Sequence, residues 1–133
     1  MADRSNLQSL AGAALRIIAG GMFACHGAQK ILGWFTDKPG PPTGSQLWIG
    51  GIIELVCGIL VALGLFTRPA ALLAAGTMAV AYFQFHWKLA MDHTMFLPIK
   101  NGGELAVLYC FVFLVFAVSG AGALSLDRRR GRI

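Results

Sequence analysis

Three polar residues, His26, Gln29 and Lys30, close a long apolar run in the stretch Phe23-Ala24-Cys25-His26-Gly27-Ala28-Gln29-Lys30. Spaced three and four apart, they share one face of a helix. Three more ionisable residues, Glu54, His86 and Glu104, interrupt other apolar runs. Such groups in apolar surroundings are costly unless paired, protonated or used. Two chemistries suit the set. A quinone head needs hydrogen-bond partners, a proton carrier and apolar walls. His26, Glu54, His86 and Glu104 supply the first two, with Gln29, Lys30 and Tyr82 around them. Phe23, Phe83, Phe85, Trp34 and Trp87 supply the walls. The alternative is a metal: two His and two Glu suit iron, zinc or copper. The tight Glu-x-x-His spacing of carboxylate-bridged metal bundles is absent. Haem ligation by His26 and His86 is a further option, with both ligands near one membrane face.

Composition says what must position these residues. The chain has 133 residues, 56% hydrophobic and only 13% charged, with mean hydropathy +0.66. Soluble domains carry about 25% charged residues, so a membrane protein is expected, and the 17 glycines fit. The net charge of +5 is scattered over termini and short loops. It forms no basic face interleaved with aromatics, which excludes a nucleic-acid footprint. Cys25, Cys57 and Cys110 form no CxxC pair and read as small buried hydrophobes.

Four apolar runs follow, about 10–32, 47–66, 70–91 and 101–119. Twenty residues suffice to cross a hydrocarbon core of about 30 Å. The first run exceeds a signal-peptide core and carries Arg16, so it reads as a retained helix whose arginine snorkels to the interface. Residues 36–45 hold three prolines and two glycines and form a loop. Trp34 and Trp48 flank that loop as interfacial anchors. Pro69 suits the first turn of the third helix. His93 falls in a second loop, solvated. The expected fold is all-α: an integral membrane antiparallel four-helix bundle in one domain.

Seven arginines fall on the side of the termini and the Arg68 turn, and four lysines on the other. The positive-inside bias then makes both termini cytoplasmic. In that topology His26, Glu54, His86 and Glu104 all reach the outer half, one from each span. Each also has a plainer reading. Glu54 pairs with Lys30 or His26 to lock the bundle, with Gly50, Cys57, Gly58 and Val61 on its face. Glu104 completes a capping box with Asn101. His86 stands alone in an aromatic belt. A faint repeat links Phe23-x-x-His26 with Phe83-x-x-His86, and Glu54-Leu55 with Glu104-Leu105. Gly12, Gly20 and Gly21 offer a face for homo-oligomers.

These motifs carry a resemblance. Phe23-x-x-His26-Gly27-x-Gln29-Lys30 with Gly33-Trp34-Phe35 resembles the first helix of the DoxX family. Gly51-x-x-Glu54-Leu55-x-x-Gly58, with Leu63-Gly64-Leu65-Phe66-Thr67-Arg68, resembles its second. Met78-Ala79-x-Ala81-Tyr82-Phe83-x-x-His86 resembles its third. Asn101-Gly102-Gly103-Glu104-Leu105-Ala106 with Leu108-Tyr109 resembles its fourth. The resemblance implies a small four-helix inner-membrane protein, related to a subunit of a thiosulfate:quinone oxidoreductase. It also implies partners in oxidative- or thiol-stress complexes, with sulfurtransferase-like and superoxide dismutase proteins. It assigns no catalytic residue.

The expectation is a quinone-interacting subunit of an oxidoreductase complex, its electrons delivered by a partner protein or cofactor. The competing readings are a metal-binding membrane enzyme and a structural subunit without catalysis.

Overall fold

The computed structural model describes residues 3–87 and 96–131. Lys88, His93, Arg132 and the expected end of the third run at Met91 lie outside the described residues. Helices account for all the regular structure among those described: α1 (Arg4–Leu32), α2 (Gln46–Leu63), α3 (Thr67–Ala81), a π-helical turn (Tyr82–His86), α4 (Pro98–Asn101), α5 (Glu104–Ser119) and α6 (Leu126–Arg129). By length and composition α1 and α2 are able to cross a membrane, and α5 is a shorter apolar helix. The rod 67–86 continues from α3 through the π turn, about 30 Å at 1.5 Å per residue.

The boundaries follow local chemistry. Gly33 (φ 69°) and Gly64 (φ 69°) adopt the left-handed conformation that ends α1 and α2. Ser45 caps α2, its hydroxyl accepting from the Trp48 amide at 3.2 Å. The capping box expected at Asn101 and Glu104 does not form. Gly102 (φ 72°) breaks the chain there, and Asn101 Oδ1 instead accepts from the Gly103 amide two residues on, at 2.8 Å. A short Asn side chain makes that local turn more readily than it reaches the N3 amide.

The helices pack chiefly as two pairs, α1 with α2 and α3 with α5, and α2 also meets α3. Small residues on α3 (Ala70, Ala71, Ala74, Ala75) are buried with the large Phe113 and Phe116 of α5.

Arg16 departs from expectation. It is fully buried rather than stretched to an interface. The chain after α5 folds back beneath α1 and presents its carbonyls. Arg16 Nη1 donates to Ala121 O, and to Ala123 O at 2.8 Å, while Nη2 donates to Leu124 O at 2.7 Å. A planar fork with several donors suits three carbonyls. Beside it, Asp127 caps α3 from a distance in sequence. The local N-cap, Phe66, sits at φ 48° and offers no capping side chain. Asp127 Oδ1 and Oδ2 accept from the Phe66 and Thr67 amides, both at 2.9 Å. This explains why α3 begins three residues earlier than the apolar run.

Arg16→Met should lower the unfolding free energy by about 3 kcal/mol, the upper range for hydrogen bonds from a charged donor. Arg16→Lys should recover only part of it. Denaturant titration in detergent micelles, followed by circular dichroism, measures both.

Candidate functional site

The site begins where α1 and α2 touch backbone to backbone. A Cβ on Gly27 would lie 2.3 Å from the Leu55 nitrogen, and one on Gly58 2.4 Å from the Ala24 nitrogen. Only glycine permits that approach. The contact sets Lys30 of α1 beside Glu54 of α2, one turn along from Gly51 and Gly58. Lys30 Nζ lies 2.8 Å from Glu54 Oε1, with side-chain exposures of 33% and 5%. The pairing of Glu54 with Lys30, anticipated from sequence, is therefore present. Glu54 Oε2 is buried and has no hydrogen-bond partner among the described residues.

Aromatic rings form the floor. Phe23, almost fully buried, packs against Tyr109 and Phe113 of α5 at centroid distances of 5.3 and 4.7 Å. Tyr109 stacks on Phe113, and the His26 ring meets Tyr109 edge-on at 6.1 Å. The Tyr109 hydroxyl is buried and without a partner among the described residues. Glu54 and Cys25 lie within electrostatic reach of it.

The π turn orients the last wall. Tyr82 opens it, four residues after Met78 on the buried face of α3, and is itself buried. Its hydroxyl donates to Phe96 O and accepts from Asn101 Nδ2 at 3.1 Å. Gly103 lies so close to this ring that a Cβ there would come within 2.8 Å of Tyr82 Cδ2. Phe85 and His86 are left to line a cavity.

That cavity measures about 940 Å³. His26, Lys30, Glu54, His86 and Tyr109 line it, together with Phe23 and Gln46. These come from the late part of α1, the first half of α2, the end of the π turn and the early part of α5. The short α2–α3 connection and the Gln46–Gln84 hydrogen bond set Glu54 and its partner Lys30 level with Gly76, with His86 about 15 Å further along the rod. The rest of the wall is mostly aliphatic.

Not every expected residue joins them. Glu104 is exposed on the first turn of α5 and does not line the cavity. Gln29 is half-buried, its amide 3.4 Å from Phe35 O. Trp34 and Phe83 are exposed; Trp34 packs on Phe35, and Phe83 on Tyr82 and Trp87. Phe23 repeats poorly as Phe83, because Tyr82, one turn after Met78, holds the buried position. Cys57 is buried and Cys110 half-buried, as small hydrophobes should be, whereas Cys25 is exposed; all three are free thiols. Among the described residues no three His, Cys, Asp or Glu side chains are grouped to hold a metal ion. Tyr109 is the residue that motif spacing missed. Its signal was the stripe Ala106, Tyr109, Phe113, Phe116, in which one member carries a hydroxyl.

A buried carboxylate that loses its cation is expensive. Lys30→Met should cost about 3–5 kcal/mol of stability. The double variant Lys30→Met with Glu54→Leu should return most of it, since both charges then leave together. Paired denaturation curves of the single and double variants decide this.

Comparison with known proteins supplies the identity. The DoxX family model matches residues 11–87. An uncharacterized protein of Haemophilus influenzae is 46% identical over 118 residues, 86% of this chain and 87% of its own. An uncharacterized membrane protein of Mycobacterium tuberculosis is 31% identical, over 86% of this chain and 78% of its own. An inner membrane protein of Escherichia coli is 30% identical, over 85% and 86%. No solved structure matches. The family match over more than half of the chain, with relatives named as membrane proteins along most of their length, establishes that the chain belongs to the DoxX family of membrane proteins.

Proposed function

We propose that the chain is a quinone-interacting membrane subunit of an oxidoreductase complex. One observation carries this reading: a large, mostly aliphatic cavity is lined by an ion pair, a phenol and two imidazoles. Two polar atoms in that wall, Glu54 Oε2 and the Tyr109 hydroxyl, are buried without partners among the described residues. Buried polar atoms are normally hydrogen-bonded, so both point to a ligand with matching groups. A quinone head offers them, a carbonyl for the phenol and, once reduced, a hydroxyl for the carboxylate.

The residues divide the work by chemistry. Tyr109 donates a hydrogen bond to a ring oxygen. Glu54 accepts one and takes up or releases a proton. Lys30, one-third exposed, holds Glu54 in place and links it to water. His26 and His86 line the same cavity, as further donors or proton carriers. A quinone carries two electrons and two protons between proteins. A partner protein in a redox or stress complex, or a bound cofactor, supplies the electrons.

The same reading takes α1, α2, α3 with its π turn, and α5 as four antiparallel spans of an inner-membrane bundle. Arg16 and Asp127 hold residues 121–127 to α1 and to the start of α3, which puts the arginine-rich segments at one end. The Lys30–Glu54 end then faces outward and the arginine end the cytoplasm.

Wild-type protein should co-purify with quinone from membranes. Tyr109→Phe should reduce quinone binding, and Glu54→Gln binding of the reduced quinol, by about tenfold each, one lost buried hydrogen bond. Undiminished binding in both would overturn the site. Orientation is checked separately by impermeant maleimide in a cysteine-free background. Thr43→Cys should react in intact spheroplasts and Arg129→Cys only after lysis.

A further inference from the structure

We infer that the groove between α2 and α3 holds the hydrocarbon tail of the quinone, which enters from the lipid side; this rests on the quinone reading above. The cavity is larger than a ring requires. Along α3 it runs from Pro69 to His86, about 25 Å at 1.5 Å per residue. Its volume, about 940 Å³, lies at the upper end of the 300–1,000 Å³ or so of pockets that enclose whole organic ligands. A polar head beside Glu54, level with Gly76, fills only the middle of that length.

The groove wall is suited to hydrocarbon. Leu72, Leu73 and Val80 of α3 and Ile49 of α2 line it and are 60%, 52%, 47% and 51% exposed. The Thr77 hydroxyl is already engaged, donating to Leu73 O at 2.8 Å. Gly50 and Gly76 also line the groove, and a Cβ on either would meet nothing within 4 Å. These two glycines leave a channel between the helices where any larger side chain would narrow it. Toward its His86 end, Gln46 Nε2 donates to Gln84 Oε1 and ties the start of α2 to the π turn. The exposed Leu72, Leu73, Val80 and Ile49 leave the side of the groove as its opening.

A phospholipid is the other molecule with a head and long tails, and charge disfavours it. The cation beside the head, Lys30, is already paired with Glu54. A phosphate placed there would face a buried carboxylate. A neutral quinone head carries no such charge: one ring carbonyl accepts from the Tyr109 hydroxyl, and after reduction a ring hydroxyl donates to Glu54 Oε2.

The test uses the full chain in nanodiscs of fixed lipid composition. Binding of a long-tailed quinone and of the same ring with a short side chain is measured as bilayer mole fraction. Leu72→Trp fills the groove about 6 Å along the helix from the level of Glu54, at a side chain that is 60% exposed. Gly21→Leu, with nothing within 4 Å of its added Cβ and outside the cavity, is the control. Leu72→Trp should weaken the long-tailed quinone at least about tenfold, through the methylenes it displaces, and leave the short one unchanged. Tyr109→Phe should weaken both. Equal effects of Leu72→Trp on both quinones, or no effect on either, would overturn the groove assignment while leaving the head site standing. So would a copurifying phospholipid that Leu72→Trp expels without changing quinone affinity. If the wild type binds neither quinone, the quinone reading falls and the tail site falls with it.

Discussion

Everything around the Lys30–Glu54 pair depends on how closely α1 and α2 approach. Gly20, Gly27 and Gly58 bring backbone against backbone, leaving no room for a side chain. In lipid, such contacts gain dispersion energy that no hydrophobic effect between helices would supply. They also fix the height of one helix on the other. Lys30 and Glu54 are neighbours because of that height. Gly20 was expected to offer a face to other copies of the chain, and instead it is spent inside the molecule. Gly12 and Gly21 are the ones with nothing within 4 Å.

The pair on this scaffold is asymmetric. One oxygen of Glu54 is held by a partly exposed cation, and the other is buried without a partner. A carboxylate fully satisfied by the protein would lock the bundle and do little else. One half-satisfied beside an unpartnered phenol retains capacity for a ligand. The aromatic floor of Phe23, Phe113 and the ring of Tyr109 keeps that capacity in apolar surroundings, where a hydrogen bond is worth more than in water.

Much of this was legible in the sequence. Apolar runs broken by proline and glycine placed the principal helices, and a lone Glu in an apolar span identified Glu54 and its partner Lys30. Other features resist such reading because they are properties of tertiary contact. Arg16 near a helix start reads as a snorkelling residue, and only the path of residues 121–124 turns it inward. Asp127 reads as part of a basic tail, yet it caps a helix sixty residues earlier. Tyr82 follows Met78 by one turn on the buried face of α3, whereas the echo of Phe23-x-x-His26 singled out Phe83, which the fold leaves exposed. Glu104 shares a depth with the other acids by counting, but the helix turns it to the outside.

The buried guanidinium has a consequence for assembly. Arg16 belongs to the first helix made, and the carbonyls that satisfy it belong to residues 121–124, more than a hundred positions later. Domains fold in the order of synthesis, at about 5–20 residues per second. For several seconds, α1 therefore carries an unmet charge that nothing already translated can quench. The same late stretch brings Asp127, which caps the start of α3. A polypeptide broken off before this region has a cation without acceptors and a helix without its cap. The two faults together leave a truncated product open to degradation, so the molecule itself distinguishes finished copies from unfinished ones.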